Sequence, residues 1–77
     1  MASSLLDSRI KLRHISCFLE VTRQGGVVPA SLALGLSQPA VSKSIAELED
    51  LLATPLFDRS GRRLVLTHAG AIFARHA

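Results

Sequence analysis

The sequence predicts a mainly α-helical domain carrying one small β-hairpin, and three features of the 77-residue chain lead to that expectation. Apolar residues recur at helical spacing in several segments, each bounded by Gly, Pro or a capping Ser or Thr. Between Leu56 and Leu66 the helical period breaks, and short runs of mixed polarity flank a turn that contains Gly61. Nearly half the residues (48%) are hydrophobic, with neither Trp nor Tyr, so aliphatic side chains and Phe18, Phe57 and Phe73 must build the core of one small folded domain.

Residues 1–9 show no sustained pattern and are expected to form a flexible N-terminal arm. A first helix is expected from Ile10 or Lys11 to Gln24, with Leu12, Ile15, Phe18, Leu19 and Thr22 on its apolar stripe and Gly25-Gly26 ending it. Cys17 lies beside that stripe and suits the role of a small buried hydrophobe. His14 stands three residues before it, but a pair without further ligands does not make a zinc site, so no metal is expected.

The run from Val27 to Gly35 reads as a short second helix, with Pro29 at its first position and Gly35 just past its end. Gly35 and Leu36 lead into Ser37, a good N-cap for a long third helix that continues to about Leu52. Two helices joined by a tight turn containing Gly form a helix-turn-helix.

The long helix has two dissimilar faces. Val41, Ile45, Leu48 and Leu52 form a stripe for burial, whereas Gln38, Pro39, Ser42, Lys43, Ala46 and Asp50 lie on the other side. The outer face is also uneven along its length: its first half is free of acids, while Glu47, Glu49 and Asp50 crowd the second. Only the first half can approach a polyanion closely, and the helix N-terminus adds partial positive charge and free N–H groups there. In a DNA major groove Gln38 suits an adenine edge, Lys43 a guanine or a phosphate, and Ala46 a thymine methyl.

Ala53-Thr54-Pro55 stops the helix, and a β-hairpin follows with Arg59, Arg62 and Arg63 concentrated around its tip. A basic hairpin beside a helix-turn-helix is a wing, whose arginines suit phosphates or a minor groove. Thr67 then caps a last helix from His68 to Ala77, with Ala69, Ile72 and Phe73 along one side. That stripe exceeds what so small a domain covers, so it is expected to meet a partner helix.

Nine Lys and Arg against six Asp and Glu give a formal charge of +3 and a pI near 10.0, which leans toward an anionic partner. Single-stranded nucleic acid is disfavoured, because stacking platforms need aromatic faces. An enzyme is disfavoured too, since the sequence has no Gly-rich phosphate loop, paired carboxylates or nucleophile elbow. A protein-docking module that uses the apolar second and last helices is the competing reading, and it predicts little salt dependence. The lone Cys17 and the lack of a signal-like or membrane-spanning segment fit a soluble cytoplasmic protein.

Together these segments resemble the N-terminal DNA-binding domain of LysR-type transcriptional regulators. The resemblance rests on Leu12-Arg13-His14-Ile15 through Phe18, Leu36 to Ile45, Leu48-Glu49, Pro55 to Arg63, and Leu66-Thr67-His68-Ala69-Gly70. It implies a winged helix-turn-helix over residues 10–66, with a three-helix core and a two-stranded β wing, and the start of a linker helix over 67–77. It also implies sequence-specific binding of double-stranded DNA by a bacterial regulator, as a homodimer on an interrupted inverted repeat. Gln38, Pro39, Ser42 and Lys43 would meet the major groove and Arg62 the minor groove; Arg63 and Arg59 are candidates for phosphates, the alternative for an Arg at a strand end being a pair with Asp58 or an acid of the long helix. Ala69, Ile72 and Phe73 would dimerise through antiparallel linker helices. Members of this family go on to a small-molecule-sensing effector domain and usually form tetramers. That domain is missing from this sequence, so an isolated or truncated DNA-binding domain without a cofactor of its own is expected.

The sequence departs from the family pattern in three places. Gly26-Val27-Val28-Pro29 stands where Ser-Phe-Thr and a basic residue are usual, and Leu32 and Ala33 replace positions that are usually polar. Lys43 also stands for the usual Arg, keeping the charge but losing the bidentate fork.

Overall fold

In the computed structural model, which describes residues 9–59 and 64–76, the elements follow one another as α1 (Leu12–Gln24), α2 (Val27–Leu34), α3 (Gln38–Leu52), β1 (Phe57–Asp58), β2 (Val65–Leu66) and α4 (His68–His76). The three-helix core, the antiparallel hairpin and the trailing helix make a winged helix-turn-helix, in the order expected from the sequence. The hairpin pairs Phe57 with Leu66 and Asp58 with Val65. Most of the N-terminal arm, the hairpin tip with Arg62 and Arg63, and Ala77 lie outside the described residues.

The helix boundaries follow from backbone chemistry at the ends. Gly35 adopts the left-handed region (φ 69°), where its N–H donates to the Leu32 carbonyl while that of Leu36 donates to Ser31, so the last carbonyls of α2 are satisfied as the chain turns. The same motif ends α3, with Ala53 at φ 53° and bonds from Ala53 and Thr54 to Asp50 and Glu49. Among the described residues, Ala53 is the only non-glycine with positive φ. Pro29 is the third residue of α2 and not the first: Gly26 is extended, helical geometry begins at Val27, and first-turn N–H groups lack intrahelical partners in any case.

The core gathers Cys17, Phe18 and Val21 from α1, Ala30 from α2, Val41, Ile45 and Leu48 from α3, Leu56 and Phe57 at the hairpin base, and Phe73 from α4. Phe18 is the hub, with ring centroids 5.4 Å from Phe57 and 5.2 Å from Phe73, the latter edge-on. Two expectations are corrected here. The buried stripe of α1 runs through His14, Cys17, Phe18 and Val21, while Leu12 is 81% exposed and Ile15, Leu19 and Thr22 are half-buried. Both sets satisfy helical spacing and share Phe18, and packing against α2 and α3 selects between them. Phe73, expected at a dimer contact, is enclosed by the monomer's own core at 8% exposure, whereas Ile72 is 42% exposed.

The last helix is fastened to the hairpin base by Thr67. Its N–H donates to the Leu56 carbonyl (3.0 Å), its hydroxyl donates to the Pro55 carbonyl (2.8 Å), and Gly70 N–H donates back to that hydroxyl (3.0 Å). The second helix turns Val28 and Leu32 outward, the latter 79% exposed. Among the described residues no helix is long and apolar enough to cross a membrane.

Candidate nucleic-acid interface

Ser37 begins α3 in extended conformation, and its hydroxyl accepts the Ala40 N–H at 3.2 Å. With Pro39 in the first turn and no Gly until Gly61, the helix runs fifteen residues and separates its faces cleanly. Val41, Ser44, Ile45 and Leu48 are buried; Gln38, Pro39, Ser42, Lys43, Ala46 and Glu47 are exposed. All four residues expected to meet a major groove therefore lie together on the open surface of one helix. At about 100° per residue, Pro39 and Ala46 sit near the centre of this surface, Gln38 and Ser42 toward one edge, and Lys43 and Glu47 toward the other.

Each edge is tied to a neighbouring element by a carboxylate whose role was not legible in the sequence. On the Gln38 edge, Glu49 reaches the hairpin base: its Oε2 accepts the N–H groups of Leu56 (2.7 Å) and Phe57 (3.2 Å), and its Oε1 lies 3.6 Å from an Arg59 guanidinium nitrogen. The hairpin is thus anchored on the flank of α3 that carries Gln38 and Ser42. Arg59, half-exposed, is engaged by this carboxylate.

On the other edge, Glu47 Oε1 lies 3.0 Å from His14 Nε2. His14 occupies the third position of α1, where the Glu or Gln of a capping box usually stands, and its Nδ1 accepts the Lys11 N–H at 2.9 Å. The bond from His14 is the main reason that the Glu47 carboxyl sits below the usual glutamate range; desolvation works against it, and the charges of Lys43 and Arg13 assist it. Arg9, Lys11, Arg13, Glu47, Asp50 and Leu51 line the open cleft around this contact. Only the position of His14 at the start of a helix hinted at the capping half of its role. No grouping of His, Cys, Asp and Glu able to hold a metal occurs among the described residues.

The arrangement agrees with known proteins in both sequence and fold. Residues 12–71 match the family described as bacterial regulatory helix-turn-helix protein, lysR family. The transcriptional regulator PcaQ of Agrobacterium fabrum is 48% identical over 73 residues, which are 95% of this chain but 24% of that protein. This chain thus spans about a quarter of the length of such curated relatives. Among solved structures, the DNA-binding domain of BenM in complex with catB site 1 DNA superposes with a TM-score of 0.83 at 30% identity, covering 86% of this chain and 74% of that one. A LysR-family regulator from Eggerthella lenta gives a TM-score of 0.78 at 38% identity, covering 82% of this chain and 90% of the other. These relatives are named as transcriptional regulators. With its helix-turn-helix, its hairpin and the match over residues 12–71, the chain belongs to the LysR family of bacterial regulatory helix-turn-helix proteins.

Proposed function

We propose that this chain binds double-stranded DNA sequence-specifically as the DNA-binding part of a cytoplasmic bacterial transcriptional regulator. The N-terminal half of α3 enters the major groove. The observation that supports this most directly is the exposed, acid-free surface formed by Gln38, Pro39, Ser42 and Lys43, with the hairpin anchored alongside. Small side chains let the backbone sink into the groove, Gln38 pairs with a base edge, and Lys43 takes a guanine or a phosphate. Arg62 and Arg63 on the wing reach the minor groove and phosphates, and Arg59 adds charge next to them. The likeness to a domain crystallised with DNA supports double-stranded DNA as the partner.

Two copies pair through the linker helix that α4 begins, using Ala69 and Ile72, so that two half-sites lie about one helical turn, or a multiple of it, apart. The full-length protein adds an effector domain that senses a small molecule, and it assembles as a tetramer.

Selection of bound duplexes from a random pool, followed by mobility shifts across salt concentrations, tests the reading. Affinity should fall with a slope of about −0.9 per neutralised phosphate on a log–log plot. Gln38→Ala or Ser42→Ala should cost about 1–3 kcal/mol on the selected duplex and little on random DNA, whereas Arg62→Ala should weaken both. Equal losses on both DNAs for all three variants would refute base reading by α3, and salt-independent binding would favour a protein-docking surface.

A further inference from the structure

Glu47 is an acid on the surface that the proposed function turns toward DNA, one helical turn beyond Lys43. Left free, its carboxylate would stand near the phosphates flanking the groove. It is not free: it is bonded to His14, whose side chain is 7% exposed against 47% for that of Glu47, across 33 residues of sequence.

The hydrogen-bond network fixes the chemistry of this contact. His14 Nδ1 accepts the Lys11 N–H and therefore carries no proton, so Nε2 carries it and donates to Glu47. The imidazole is thus oriented by the backbone of α1 and aims one N–H at a carboxylate on α3. As a cap alone, His14 would need only Nδ1; the second bond reaches a half-exposed carboxylate on another helix.

We propose that His14 is a positioning residue for DNA recognition, drawing the Glu47 carboxylate to the α1 edge of α3 and so keeping an acid clear of the bound duplex. This rests on the DNA-binding function proposed for the chain. Asn at position 14 keeps an oxygen near the position of Nδ1, for Lys11, but lacks the reach to Glu47. Gln at position 47 removes the charge.

Affinity for a duplex selected with this chain is measured for the wild type, His14→Asn, Glu47→Gln and the double variant, with folding followed by circular dichroism. His14→Asn should weaken binding about three- to five-fold, the scale of one exposed charge interaction. In the Glu47→Gln background the same change should fall within about two-fold, the usual additivity error. A loss of equal size in both backgrounds would show that His14 acts independently of the Glu47 charge and would overturn the proposal. Glu47→Asp makes the test without touching the buried site: the shortened acid no longer reaches His14, so its binding should fall about three- to five-fold below wild type. Wild-type affinity for this variant would likewise overturn the proposal. A wild-type chain that binds no duplex would overturn the DNA-binding reading together with this one, whereas wild-type binding with no coupling between positions 14 and 47 would overturn this one alone.

Discussion

Replacing Gly70 by Ala should destabilise the domain although Ala is the better helix former. Gly70 lies in the first turn of α4, where the helix presses on the hairpin base. A Cβ at this position would intrude on the Leu56 carbonyl oxygen, well inside van der Waals contact, and would come within 3.0 Å of both the Leu56 carbonyl carbon and Leu66 Cδ2. The obstructing group is backbone and cannot rotate aside. Its oxygen also accepts the Thr67 N–H, so moving it strains the bond that fastens α4. Forcing an extra carbon into such a contact costs about 1–3 kcal/mol, and the weakened hydrogen bond adds about 0.5–1.5 kcal/mol. Against this, Ala gains up to about 1 kcal/mol in helix propensity. A net loss near ~2 kcal/mol is expected from these opposing contributions, with the shift of α4 also loosening Phe73 from Phe18. Urea unfolding followed by circular dichroism reads it as a lower midpoint at unchanged slope. A variant as stable as wild type, or more so, would refute the close approach of α4 to Leu56.

Two of the helix ends closed by left-handed residues, those of α2 and α3, make a matched pair of tests. Ala53→Gly relieves the strain at φ 53° and should raise stability by about 1 kcal/mol, whereas Gly35→Ala at φ 69°, where a Cβ meets nothing within 4 Å, should lower it by about as much. The same urea titration reads both signs. Glu49→Ala leaves the N–H groups of Leu56 and Phe57 without their acceptor and should cost about 2–4 kcal/mol; the amide signals of Leu56 and Phe57 should lose protection from hydrogen exchange before those of α1. The depressed pKa of Glu47 means that its bond to His14 contributes stability above the carboxyl's unfolded pKa and that this contribution is lost as pH falls through the folded value. In His14→Asn the midpoint should move up toward the ordinary glutamate range, which a carbon-detected NMR titration of the Glu47 carboxyl would follow; an unchanged midpoint would contradict the assigned cause.

The sequence by itself determined the order of elements, the C-terminal ends of α1 and α2, the cap of α3 and its two faces, because these depend on near neighbours. Ser37 and Thr67 cap, Gly25 and Gly35 turn, and Val41, Ile45 and Leu48 align through a repeat measured along one helix. The candidate DNA-reading residues could be found for the same reason: Gln38, Ser42 and Lys43 are defined by what lies opposite them on their own element. Only the tertiary structure decided which stripe of α1 is buried, since Leu12-Ile15-Leu19 and His14-Cys17-Val21 have equally good spacing and the partner surface selects between them. It also placed Phe73 against Phe18 and gave Glu49 to the hairpin base and Glu47 to His14. Those pairings join groups far apart in the chain, and the free energy that selects them comes from packing and desolvation between elements, which no local pattern of residue types encodes.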